Sequence, residues 1–156
     1  MSLETLQGKK FVIIDDDPCT LFYNNAVIKR FFYYSEVVSF KSPSKALDYF
    51  YNDFRTYPSE TVVLLDINMP ELSGWDVLNK LKMLPGGAKE KLSIIILSSS
   101  IDPADKLRAD NSSLVLGFIE KPFSVKKLKD LMDLKESLVK KVDFSQNIAL
   151  VNSINL

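Results

Sequence analysis

Five side chains able to do phosphate or metal chemistry share one place in the pattern of this chain, directly after a short apolar run. Asp15 and Asp16 follow Phe11 to Ile14, Asp66 follows Val62 to Leu65, Ser98 follows Ile94 to Leu97, and Lys121 follows Phe118-Ile119-Glu120. Three carboxylates, one hydroxyl and one ammonium are an oxygen-rich set that suits a hard cation such as Mg²⁺ or Mn²⁺. Carboxylates brought together repel unless a cation lies between them. A carboxylate is also a competent nucleophile toward phosphorus, and a lysine and a divalent metal would offset the charge of incoming phosphoryl oxygens. Asp66 has the position for that nucleophile.

The elements that must position these groups can be read from the spacing of apolar residues. Phe11 to Ile14, Val62 to Leu65 and Ile94 to Leu97 are short unbroken apolar runs, as expected of strands covered on both faces. Val37-Val38 and Phe118-Ile119 are shorter runs of the same kind. Helical spacing links Leu21, Ile28 and Phe32; then Leu47, Phe50 and Phe54; then Val77, Leu81 and Leu84; then Val125, Leu128, Met132 and Leu138. Asp17-Pro18, Ser42-Pro43 and Asp102-Pro103 each put a capping oxygen before a proline suited to a first helical turn. Ser73 with Asp76, and Ser124, are the caps expected for two other helices. The segment after Pro103 has few apolar positions and is expected to be a short or mobile helix. Gly86-Gly87 reads as a loop, and no repeat or low-complexity linker divides the chain.

This alternation predicts a doubly wound α/β fold with a parallel sheet and helices on both faces. Ligands of such sheets bind outside the carboxyl ends of the strands, where all five groups would meet.

Composition limits the function classes. The 156 residues suit one domain, and twenty basic and twenty acidic residues cancel, so the overall charge favours neither nucleic acid nor an anionic membrane. The lysines of the last helix, Lys126, Lys127, Lys129, Lys135, Lys140 and Lys141, read as a solvated face that complements the helix dipole. Cys19 is the only cysteine, and no segment has the apolar length of a signal-peptide core or a membrane span, which points to a cytoplasmic setting. The absence of histidine removes His-based triads and zinc sites. No G-x-G-x-x-G or P-loop pattern cradles a nucleotide.

Four blocks, FVIIDDDP, LLDINMPELSGW, IIILSS and GFIEKPF, occur in the order and spacing of response-regulator receiver domains, and the chain resembles that family from Lys9 to Leu134. The resemblance implies a flavodoxin-like five-stranded sheet in the order 2-1-3-4-5, the order of the chemotaxis receiver that serves as a standard example of this fold. It further implies phosphorylation of Asp66, metal binding by Asp15, Asp16, Asp66 and the backbone carbonyl of Asn68, and pairing of Lys121 with the phosphoryl group. Ser98 would supply the hydroxyl that moves toward the phosphate, and Phe118 the ring that swings inward with it, without a tyrosine-type hydrogen bond. Lys121-Pro122 would be a cis peptide that aims the lysine inward. Asn68 and Ser100 stand at positions associated with the rate of dephosphorylation.

On this reading residues 1–8 are a leader, 9–134 the receiver, and 135–156 the end of the last helix and a tail without an output domain. The implied partners are a sensor histidine kinase or a histidine phosphotransfer protein, a downstream protein target, and a second copy of the chain in a homodimer. Val142, Phe144, Ile148 and Leu150 could dock on the body or on a partner, or simply fray. Two other readings compete. Asp15-Asp16-Asp17 contains the D-x-D of haloacid-dehalogenase-like phosphatases, with Asp15 as nucleophile and Asp17 as general acid/base, although Cys19 replaces the usual Thr and Asp66 is left unexplained. A receiver-like interaction module that never carries phosphate is the third.

Overall fold

The computed structural model describes residues 3–56, 58–99 and 102–154, and for 143–154 the backbone alone. Five strands, β1 (Lys10–Ile14), β2 (Val37–Phe40), β3 (Thr61–Asp66), β4 (Leu92–Ser98) and β5 (Val115–Glu120), alternate with five helices. The helices are α1 (Pro18–Phe31), α2 (Pro43–Tyr49), α3 (Gly74–Leu81), α4 (Pro103–Asp110) and α5 (Val125–Ile154). All neighbouring strands are parallel, in the order β2-β1-β3-β4-β5. This is the predicted flavodoxin-like sheet.

Successive side chains of a strand point to opposite faces, so each unbroken apolar run feeds two cores. Val12, Ile14, Val63, Leu65, Ile94 and Ile96 pack with Ala46, Leu47, Val77, Leu78 and Leu81 of α2 and α3. Phe11, Ile13, Val62, Leu64, Ile95 and Leu97 pack with Ile28, Phe32, Leu128 and Met132 from the opposite helical layer. β1, β3 and β4 are therefore buried along nearly their whole length, whereas β2 at the edge is only half-buried.

Helix starts follow the predicted chemistry. The Asp17 carboxylate accepts from the backbone N–H groups of Cys19 and Thr20, Ser42 from Lys45, Asp102 from Ala104, and Ser124 from Lys127. Ser73 and Asp76 form a reciprocal capping box. α4 is short, and its one buried residue is Ala109. Beyond α2 the chain widens into a π-helical turn over Phe50–Phe54 that still buries Phe50 and Phe54.

Three placements depart from the sequence reading. Leu138 is 47% exposed, because α5 is about 45 Å long while the six residues of β5 span only about 20 Å, so the helix outruns its sheet. Lys127 is not merely part of a solvated face: its ammonium donates to the carbonyls of Glu120 and Pro122 at 2.7 and 3.0 Å and ties down the β5–α5 turn. Leu3–Leu6 forms a 3-10 turn that buries Leu6 against the α1–α5 side of the sheet, a contact that its isolated leucines did not signal.

Candidate functional site

The carboxyl ends of β1, β3, β4 and β5 bring the candidate residues together. Asp15 leaves β1 just as its backbone N–H donates to the Phe40 carbonyl of β2 (3.2 Å), and its Oδ1 accepts from the Asp17 N–H (2.9 Å). Asp66 is the last residue of β3, and its Oδ1 accepts from the Asn68 N–H at 3.1 Å. The Lys121 N–H donates to the Ser98 carbonyl at 2.8 Å, which stitches β5 to the end of β4. The Lys121-Pro122 peptide is cis, as the resemblance implied.

Lys121 is the electrostatic centre. Its Nζ lies 2.7 Å from Asp15 Oδ2 and 3.3 Å from Asp66 Oδ2, and both carboxylates are almost wholly buried. Asp16, half-buried, completes a group in which one carboxylate oxygen from each of Asp15, Asp16 and Asp66 lies within 4.8 Å of the others. One ammonium cannot balance three carboxylates. Burial is the largest influence on Asp66 and raises its carboxyl pKa above the ordinary aspartate value, the Asp15 charge adds to the rise, and the Asn68 N–H and Lys121 oppose it. Burial works against the charge of Lys121 as well, yet its hydrogen bond to Asp15 and the fields of both carboxylates hold its pKa above normal. The surplus negative charge and the all-oxygen donor set fit a divalent cation.

Ser98 is fully buried, and its hydroxyl accepts from the exposed Asn68 side-chain amide at 3.5 Å. Phe118 sits half-buried on β5, level with Ile96 of β4, and packs against the core beneath α2, α3 and α4. Ser100 lies outside the described residues. Asp17 turns away from the cluster, since its carboxylate also accepts from the Thr20 hydroxyl at 2.6 Å and is held below the ordinary pKa chiefly by that bond. A side chain so committed to capping α1 makes a poor general acid/base.

One residue that matters to the site is a glycine at the start of α3. Gly74 opens α3 with its N–H on the Ile67 carbonyl (3.1 Å), and a Cβ there would lie 2.3 Å from the Asp66 carbonyl oxygen. Only glycine lets α3 approach the backbone that carries Asp66. The signal was present in the sequence, a glycine just after the Ser73 cap, but the close approach depends on tertiary packing.

A parallel 2-1-3-4-5 sheet with an acidic cluster and a lysine at its carboxyl edge defines a receiver-type phosphoacceptor fold. The model of the response regulator receiver domain matches residues 11–133, and the chain belongs to that family, whose members are phosphoacceptor signalling proteins and in general not autonomous enzymes. A two-component response regulator from Cytophaga hutchinsonii is 30% identical, with a TM-score of 0.71, over 81% of this chain and 96% of that one. A response regulator receiver protein from Dyadobacter fermentans is 25% identical, with a TM-score of 0.70, over 80% and 94%. Among curated proteins, one named "Probable cyclic di-GMP phosphodiesterase" from Vibrio cholerae serotype O1 is 30% identical over 83% of this chain, which spans 27% of that protein's length. Receiver domains bind Mg²⁺ at an acidic pocket of this kind. Neither the phosphatase reading nor the phosphate-free module is favoured by the family match. No helix among the described residues is long and apolar enough to cross a membrane.

Proposed function

We propose that this protein is a cytoplasmic signalling switch in which Asp66 accepts a phosphoryl group from a phosphohistidine of a sensor kinase or phosphotransfer protein, or from a small phosphodonor. The observation that carries this reading is the position of Lys121 Nζ, shared between Asp15 and Asp66 at 2.7 and 3.3 Å. An Asp66 carboxylate oxygen attacks phosphorus, the bond from phosphorus to the donor's nitrogen or oxygen breaks, and the leaving group takes up a proton. Lys121 then exchanges its contact with Asp66 for a phosphoryl oxygen while keeping Asp15. Asp15, Asp16, Asp66 and the Asn68 carbonyl would hold Mg²⁺, which when bound supplies charge neutralisation for the phosphoryl oxygens.

The buried Ser98 hydroxyl, now engaged by Asn68, turns toward the new phosphate, and the half-buried Phe118 follows into the space released. A protein target reads the altered surface. Incubation with Mg²⁺ and acetyl phosphate followed by intact mass measurement tests the assignment. A phosphoryl adduct that disappears in Asp66→Ala supports it, and an adduct that survives in Asp66→Ala but is lost in Asp15→Ala overturns it.

A further inference from the structure

The one tryptophan of the chain, Trp75, stands directly after Gly74 in the first turn of α3 and is 7% exposed. A single turn of α4 engages its indole twice. The Trp75 Nε1–H donates to Asp105 Oδ1 at 3.0 Å, and the Arg108 guanidinium lies 4.5 Å from the ring centroid, within range of a cation–π contact. Asp105 and Arg108 stand at i and i+3 and so share one face of the helix. The apolar side of α4 gives it little hold. Its one buried residue is Ala109, which offers a methyl group, and Leu107 is 63% exposed. Helices in proteins are kept in place mainly by burial of an apolar face, so the charge-assisted bond to Trp75 matters more for α4 than it would for a well-buried helix.

Both ends of this contact lead to the acidic site. On the α3 side, Gly74 rests on the Asp66 backbone. On the α4 side, Asp102 caps the helix that follows Ser98, and α4 packs over β5, the strand that carries Phe118. Trp75, Ala109 and Phe118 belong to one apolar cluster, so an inward turn of Phe118 takes support from beneath α4. We propose that Trp75 is a positioning residue, whose contacts with Asp105 and Arg108 latch α4 in its unphosphorylated placement and oppose the repacking that phosphorylation demands. The inference rests on the reading of Asp66 as phosphoacceptor. With the latch closed the switched arrangement is the minor state, and phosphorylation that draws on it is slowed by its scarcity.

The test uses the full chain, first without metal or phosphodonor. Hydrogen exchange read by mass spectrometry should show the α4 amides exchanging about tenfold faster in Asp105→Ala than in the wild type, the worth of one hydrogen bond to a charged group. Alanine is the better helix former, so lost propensity cannot produce that change. In a Trp75→Phe background the same substitution should have no further effect, which a role of Asp105 confined to its own helix would not give. Trp75→Leu stands in if the phenylalanine variant does not fold. With Mg²⁺ and acetyl phosphate, Asp105→Ala should gain the phosphoryl adduct faster than the wild type, by at most the same factor. Unchanged α4 exchange in Asp105→Ala, an effect that persists undiminished without the indole, or an adduct rate no faster than that of the wild type overturns the proposal. A wild type that takes up no phosphoryl group overturns the phosphoacceptor reading instead, and the exchange rates still decide whether the latch exists.

Discussion

The two ends of one sheet handle charge in opposite ways. At the amino ends of the strands, Lys9 and Lys91 meet Glu60 at 3.5 and 3.0 Å, and Lys10 meets Glu36 at 3.1 Å, with glutamates that remain about half exposed or more. At the carboxyl ends, a single lysine meets two nearly inaccessible carboxylates with a third close by. At the first end three lysines face two glutamates that water still solvates, so the pairs need nothing further and each contributes little. At the second, anions outnumber the cation and water is excluded, so the site is left with a demand for positive charge. Matching of charge to solvation, more than the number of ion pairs, separates a structural edge from a reactive one.

Removing the lysine from each end breaks this comparison most directly. Lys121→Ala should slow adduct formation from acetyl phosphate about 100-fold, the usual worth of one electrostatic donor at a reacting centre. It should also cost about 3 kcal/mol in metal-free urea unfolding, because two buried carboxylates lose their partner. Lys91→Ala should change stability by less than about 0.5 kcal/mol and leave the adduct rate alone. Equal losses from the two substitutions would end the distinction.

Gly74→Ala comes next. Its new methyl group must displace the Asp66–Ile67 backbone, and overpacking of this kind costs about 1–3 kcal/mol. Urea unfolding should show that loss, and the adduct should form more slowly even at temperatures where the variant is fully folded. A destabilised variant with an unchanged rate would make the glycine purely structural.

A smaller effect comes from the unbalanced charge itself. Because the Asp66 pKa is raised on folding, the native state binds its proton more readily than the unfolded chain does, so the ionised group opposes folding above the native pKa. The penalty disappears as pH falls below the unfolded value. Asp66→Asn should therefore raise the thermal midpoint in metal-free neutral buffer by a few degrees, as about 1 kcal/mol does in a domain of this size. The gain should shrink on acidification, and scanning calorimetry at several pH values reads both. Least of all, Glu60→Gln should shift stability by about 0.5 kcal/mol at low salt and by nothing measurable in 1 M salt.

The sequence carried most of the fold and the membership of the site, for reasons seen in particular residues. Phe11 to Ile14, Val62 to Leu65 and Ile94 to Leu97 cannot satisfy both faces unless helices cover them, which forces parallel strands and sets the polar residue after each run on one edge. Asp17, Ser42, Ser73 and Asp102 announced helix starts because a capping oxygen acts within three residues. Asn24, Lys127 and Gly74 were not legible in the same way. Each has a partner, or lacks one, only once a distant segment arrives beside it.

By itself, then, the sequence determined the order of elements, the sheet edge and the identities of Asp15, Asp16, Asp66, Ser98 and Lys121, because local spacing and hydropathy act over a few residues. Only the tertiary structure decided that Lys121 bridges Asp15 and Asp66, that Asp17 belongs to a helix cap, that α3 rests on the Asp66 backbone through Gly74, and that the buried Asn24 carboxamide has no hydrogen-bond partner among the described residues. Those outcomes depend on distances between groups far apart in the chain, and such distances come into being only when the sheet closes.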